Sequence, residues 1–125
     1  MNKAIYVRFE TPKEIQDKVY ETVEMANASG SVKKGTNEVT KVIERNTAKL
    51  VVIAEDIQPP EVVAHIPLLC EEKDIPYLYV ASKTELGKTI GIKTAASIGI
   101  TDAGKAKDIL KILVDDFKAL KKSVK

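Results

Sequence analysis

The sequence predicts an α/β fold: a single-domain three-layer α-β-α sandwich around a mixed central sheet. Three observations carry that reading. Leu50–Ala54 and Tyr77–Val80 are short runs without a charge, the pattern of strands covered on both faces. Around them lie stretches whose apolar residues recur at three- and four-residue spacing, as on amphipathic helices. Strands and helices alternate along the whole chain, which places helices on both sides of one mainly parallel or mixed sheet. The 125 residues are read as one domain, 1–125, with no internal repeat, linker or low-complexity segment. A chain of this length buries roughly two-thirds of its unfolded surface.

In chain order, a short apolar stretch covers residues 4–9. Thr11-Pro12 then signals a helix start, with threonine as N-cap, proline first in the helix and Glu14 closing a capping box. Ile15, Val19, Val23 and Ala26 form its buried stripe, and Asn27-Ala28-Ser29-Gly30 ends it. Ser31–Lys34 reads as a short strand, followed by a helix over about 36–45 that Asn46-Thr47 breaks. After the strand Leu50–Ala54 comes a polar loop over 55–60, then a helix over about 61–73. Pro67 inside that helix should kink it or start a second turn. Ile75-Pro76 turns the chain into Tyr77–Val80. Ser82 caps a short helix reaching Ile90, and Gly91 ends it. Residues 92–96 form a small apolar loop, and Ser97-Ile98-Gly99-Ile100 reads as a further strand. The last helix spans 105–122, with Ala106, Ile109, Leu110, Leu113, Phe117 and Leu120 on one face; Val124 and Lys125 fray.

Composition narrows the function classes. No apolar run approaches the roughly 20 residues needed to cross a bilayer, and the N-terminus lacks the apolar core of a signal peptide. The single cysteine, Cys70, has no internal disulfide partner, so a reducing, cytoplasmic setting is expected. Net charge is only +2, but it is segregated. Lys33, Lys34, Lys41, Arg45 and Lys49 oppose only Glu38 and Glu44, whereas six acids between 55 and 74 oppose only Lys73. Seven lysines after residue 104 oppose three aspartates. That segregation permits a basic surface on a nearly neutral protein, although solvated helix faces would give the same count.

Enzyme chemistry finds little support. Gly35-Thr36-Asn37-Glu38 lacks the spacing of a phosphate-binding loop, and no Gly-x-Gly-x-x-Gly occurs. The only histidine, His65, lies five residues before Cys70, about 140° around a helix, and a structural His with a buried Cys is the simpler reading. Glu55-Asp56 after a strand reads as loop solvation. Asp56 and Ser82-Lys83 do resemble elements of a phosphoacceptor receiver domain, but Glu10-Thr11-Pro12 after the first apolar stretch supplies no acidic pair to cage magnesium. No catalytic residue, metal site or cofactor is expected. A receiver-like or protein-interaction module without RNA binding stands as the alternative.

The stretch from Val32 to Lys41 offers more. On a helix each residue advances about 100°, so Asn37, Glu38, Lys41 and Arg45 share one arc while Val39, Val42 and Ile43 face a core. An unpaired guanine edge offers acceptors at O6 and N7 and donors at N1 and N2. Glu38 suits the donors, Lys41 suits O6 and Asn37 suits either kind. Lys33 and Lys34, beside a helix N-terminus, suit phosphates. An amphipathic helix with salt-bridged surface charges would explain the same residues.

Several motifs in this order carry a resemblance across essentially the whole chain. They are Gly35-Thr36-Asn37-Glu38-Val39-Thr40-Lys41, Leu68-Leu69-Cys70-Glu71 with Ile75-Pro76-Tyr77, Ser82-Lys83-x-x-Leu86-Gly87, and Ala95-Ala96-Ser97. Together the chain resembles the kink-turn RNA-binding family, and most closely its archaeal large-subunit ribosomal members. The resemblance implies that Asn37, Glu38 and Lys41 read the guanines of tandem sheared G·A pairs, with Gly35 and Thr36 at the point of close backbone approach. It implies that Gln58 lies beside the internal loop, and that Lys83 supports the backbone or a flipped-out base. Ile92, Lys93, Thr94, Ala95 and Ala96 would pack on extruded nucleotides, with Thr94 standing where some eukaryotic relatives carry arginine. It further implies a non-enzymatic component of the large ribosomal subunit, of box C/D and box H/ACA guide ribonucleoproteins and of ribonuclease P, with structured RNA and other ribonucleoprotein proteins as partners and no membrane. From charge, the acidic 55–74 segment, with Glu71 and Glu72, is expected to face protein partners.

Overall fold

In the computed structural model, which describes residues 6–122, the elements α1 (Lys13–Ser29), β1 (Ser31–Lys34), α2 (Thr36–Glu44), β2 (Leu50–Ala54), α3 (His65–Lys73), β3 (Tyr77–Val80), α4 (Lys83–Lys88), β4 (Ser97–Asp102) and α5 (Lys107–Lys122) follow one another. Single 3₁₀ turns, Pro60–Val62 and Gly104–Ala106, precede α3 and α5. The sheet order is β1-β4-β2-β3. β4 runs antiparallel to both its neighbours, β1 and β2, while β2 and β3 are parallel, so the sheet is mixed. α1 packs with α5, and α2 packs with α3 and lies along β1 and β4. The sheet is the middle of three layers.

Strand burial follows the sequence pattern. Every residue of β2 is fully buried, and no residue of β3 exceeds 1% exposure. An uninterrupted apolar run is stable only where both faces are covered. The edge strand β1 differs, with Lys33 and Lys34 exposed. Phe9, Tyr77, Tyr79 and Phe117 add an aromatic cluster with ring centroids 5.0–5.9 Å apart, which brings α5 down onto β3.

Helix ends depart from the local rules in instructive ways. α1 starts at Lys13, not at Pro12, and Pro12 rather than Thr11 stands at its N-cap, with no side-chain cap. The buried Thr11 hydroxyl instead accepts from the Tyr79 amide at 3.3 Å, so the expected capping box is replaced by a bond to the sheet. Ile15 is only half-buried, and Thr22 joins the buried stripe by donating its hydroxyl to the Lys18 carbonyl. The expected helix over 61–73 is divided, with α3 proper beginning at His65. Pro67 is its third residue, where a missing N–H removes no intrahelical bond. α4 ends at Lys88, earlier than expected, and the chain turns through Gly91 at positive φ. β4 runs two residues further than expected, to Asp102. Of the stretch 4–9, residues 4 and 5 lie outside the described residues; Tyr6 and Phe9 are buried. Val124 and Lys125, expected to fray, also lie outside them.

Candidate nucleic-acid interface

The strand register gathers four chain segments at one end of the sheet. Lys34, where β1 ends, pairs with Ile98. Ser97, where β4 begins, pairs with Ile53, and Ala54 pairs with Val80. The exits of β1, β2 and β3 and the entry to β4 are therefore neighbours. Backbone bonds tie them together: Gly35 N to Ser97 O at 3.3 Å, Ala54 N to Ala96 O at 3.0 Å, and Glu55 N to Val80 O at 2.8 Å. The Asp56 carboxylate accepts from Lys83 N at 2.9 Å, and the Lys83 carbonyl accepts from Ala95 N at 3.0 Å.

Gly35 opens α2 with φ +88°, a conformation that L side chains rarely adopt. A Cβ there would meet nothing within 4 Å, so conformation alone asks for glycine. The N-terminus of α2 has no side-chain cap, which leaves first-turn amides and the positive end of the helix dipole for an anion. Along α2, Val39, Val42 and Ile43 are buried while Asn37, Glu38, Lys41 and Arg45 are exposed. Thr36 is half-buried, and its carbonyl accepts from the Thr40 hydroxyl at 2.7 Å. Thr40 Oγ1 also shares a hydrogen bond with His65 Nε2 across 2.9 Å. The exposed histidine thus ties α3 to α2, a structural role.

Glu38 and Lys41 stand 3.6 Å apart with about half of each side chain in solvent. Beside them, Lys33, Lys34 and Glu38 line a shallow depression of about 350 Å³ with Asn27, Val32 and Ile90. Gln58 is exposed, and Lys83 is half-buried as the first residue of α4. Ser82 caps α4 as expected, its hydroxyl accepting from Glu85 N at 3.1 Å.

The segment 92–96 closes tightly over α4. A Cβ on Gly87 would lie 2.7 Å from Thr94 Cα and N, so only glycine permits this approach. The Gly87 carbonyl also accepts from Ile92 N at 3.0 Å. Lys93 and Thr94 are exposed, but Ile92 and Ala96 are half-buried against the core and Ala95 is 5% exposed. The apolar loop is therefore less open than its composition suggests, and the Ala95 methyl contributes packing.

The acidic 55–74 segment also divides. Glu71 turns toward α5, where it meets Lys121 and accepts from the Tyr77 hydroxyl at 2.7 Å; Glu72 and Leu68 remain exposed. Glu71 is thus not part of a free acidic face. Cys70 is fully buried, and burial, reinforced by the Glu71 charge, pushes its thiol up to about 12. Such a thiol stays protonated and is a poor nucleophile. Among the described residues, no three His, Cys, Asp or Glu side chains come together as metal ligands, and no helix is long and apolar enough to cross a membrane.

Three residues of this end have roles that the sequence does not announce, and Asp56, expected only to solvate its loop, holds the Lys83 amide. Asp56, Tyr6 and Gln16 all hold its loops in place through contacts at least 27 residues away in sequence. No local spacing signals them.

Two comparisons bear on the arrangement. Residues 17–110 match the family model of the ribosomal protein L7Ae/L30e/S12e/Gadd45 family. Among solved structures, the chain is similar to the Giardia lamblia 15.5kD RNA binding protein, at 30% sequence identity and a TM-score of 0.84. That likeness covers 94% of this chain and 96% of the other.

Proposed function

The chain belongs to the ribosomal protein L7Ae/L30e/S12e/Gadd45 family, and from that premise we propose that it is a non-enzymatic RNA-binding protein that recognises kink-turns. The observation that carries the reading is the exposed trio Asn37, Glu38 and Lys41 beside the uncapped start of α2, with Lys83 and 92–96 tied into the same end of the sheet and Gln58 exposed on the loop that leaves β2. A carboxylate, an amide and an ammonium within about one helical turn match the donors and acceptors of a guanine edge. The N1 and N2 donors are free only outside Watson–Crick pairing, as in sheared G·A pairs. Lys33, Lys34 and the α2 amides take phosphates, and Lys83, Lys93 and Thr94 approach the same RNA from the far side of Gly35. By binding the bent conformer better than the extended one, the protein shifts the RNA population toward the kink.

The 15.5kD neighbour is named as an RNA-binding protein, which supports the class. The finer assignments in this proposal are a kink-turn of large-subunit ribosomal RNA, box C/D and box H/ACA guide RNAs and ribonuclease P RNA, met in the cytoplasm. Other ribonucleoprotein proteins join after the kink is held. A mobility shift tests the reading, with a kink-turn RNA and the same RNA carrying Watson–Crick pairs in place of its G·A pairs. Binding to the first and loss of the second are expected. Equal binding to both would reduce the protein to a phosphate binder and overturn the proposal.

A further inference from the structure

We propose that residues 6–16 act as a strap that sets the RNA-side loops from behind, with Tyr6 and Gln16 as positioning residues for RNA recognition. The inference rests on the functional reading above and deepens it. The link between β2 and the turn Pro60–Val62 has no regular structure of its own, yet it carries Asp56 and Gln58. One hydroxyl shapes it. Tyr6 Oη donates to the Ala54 carbonyl at 2.7 Å and accepts from Ile57 N at 3.2 Å, joining two points three residues apart. Tyr6 is 3% exposed, so this staple lies where water cannot substitute for it.

The strap is itself anchored. The Tyr6 carbonyl accepts from the Tyr79 hydroxyl at 2.6 Å, and that hydroxyl accepts from Arg8 N at 3.0 Å. Thr11 holds the Tyr79 amide with its hydroxyl and takes the Gln16 amide NH₂ on its carbonyl at 2.9 Å. The Gln16 side-chain oxygen then accepts from Ala81 N at 2.9 Å, directly before Ser82-Lys83. The loops after β2 and after β3 thus hang from one segment. The approach to β4 follows them, through Ala95 N on the Lys83 carbonyl and Ala54 N on the Ala96 carbonyl. A buried Tyr6 hydroxyl does not touch RNA; it acts through the backbone that presents Gln58 and Lys83.

Tyr6→Phe removes only the hydroxyl. At a temperature where the protein is fully folded, its Kd for a kink-turn RNA rises by about 5–10-fold, because both bonds of the buried hydroxyl, to Ala54 O and from Ile57 N, are lost. Tyr77→Phe is the control, because the Tyr77 hydroxyl serves Glu71 at the strand end remote from the site. It lowers Tm without moving Kd. In a Gln58→Ala background the Tyr6→Phe effect shrinks, since both changes act through one loop. Amide exchange in the RNA-free protein reads the strap independently of any RNA. Tyr6→Phe speeds exchange at Ile57, and Gln16→Ala speeds it at Ala81, while Ile75 and Tyr77 exchange as in the parent protein. An unchanged Kd with a lowered Tm, the same Kd rise in Tyr77→Phe, or unchanged exchange at Ile57 and Ala81 overturns the inference. Failure of the parent protein to bind the RNA overturns the functional reading alone, leaving the strap to the exchange measurement.

Discussion

Glu38 pairs with Lys41 along one helix, 3.6 Å apart and half in solvent, whereas Glu71 of α3 reaches Lys121 of α5 with its side chain only 23% exposed. The first pair is an exposed i,i+3 contact, worth a few tenths of a kcal/mol. α2 has no need of it, because Val39, Val42 and Ile43 already bury its other face. In the second pair, burial works against the charged carboxylate. Hydrogen bonds from Lys121 and Tyr77, with the charges of Lys121 and Arg8, outweigh burial and hold Glu71 below the usual carboxylate range. The same two residue types thus leave one pair open to an outside partner and close the other into a clasp between α3 and α5. Surroundings, more than residue identity, separate a pair left open to solvent from a structural one.

Glu38→Ala breaks the comparison hardest if the open pair is the reading pair. RNA affinity should fall by about 1–3 kcal/mol, the worth of one good base contact, while Tm stays within the scatter of surface substitutions. Titration of a kink-turn RNA and a thermal melt measure the two sides. Parent-like affinity would remove Glu38 from the site, and a large loss of Tm would make the pair structural after all.

Glu71→Gln reverses the expectation. Losing the charge of a mostly buried carboxylate that takes two donors should cost about 1–2 kcal/mol of stability, with RNA affinity unchanged. Its pH dependence has a definite sign. The folded carboxyl holds its proton less readily than the unfolded one, whose usual value is 4.5. The contribution is therefore complete above that value and is lost as pH falls through the lower folded one. The gap in Tm between parent and variant should be widest near neutrality and close in acid. A gap that ignores pH would mean that shape, not charge, is what the clasp uses.

The clasp and the exposed face of α2 were not equally legible in the sequence. β2 and β3 declare themselves as uninterrupted apolar runs, and α2 by putting Asn37, Glu38 and Lys41 on one arc and three aliphatics on the other. Those are periodicities within one element, which local sequence records. The Glu71–Lys121 contact joins residues 50 apart, and the Tyr6–Ala54 bond joins residues 48 apart. Pairings of that kind exist only once the topology is fixed. Thr11 shows the competition directly. A local capping box was available to it, but a buried hydroxyl beside the sheet satisfies the Tyr79 amide instead, because an unpaired buried N–H costs more than an exposed helix end. Ala95 errs the other way: a small apolar residue in a loop reads as an exposed platform until Gly87 lets the loop close onto α4.

The smallest expected effect separates the two kinds of contact within the interface itself. Lys33 and Lys34 are exposed on an edge strand beside the start of α2, where on the proposed reading they would meet phosphate oxygens that every RNA sequence presents alike. Lys34→Ala should therefore weaken kink-turn and Watson–Crick-substituted RNAs by a similar, modest factor, whereas Glu38→Ala weakens only the first. Each neutralised phosphate also contributes about 0.7–0.9 to the slope of log K against log salt concentration. Replacing Lys33 or Lys34 should flatten that slope by about one such step, and replacing Glu38 should leave it alone. An unchanged slope in both lysine variants would put the phosphates elsewhere, on Lys83 or Lys93. A slope that moved with Glu38→Ala would mean that the carboxylate on α2 acts by its charge on the backbone and not by reading a base.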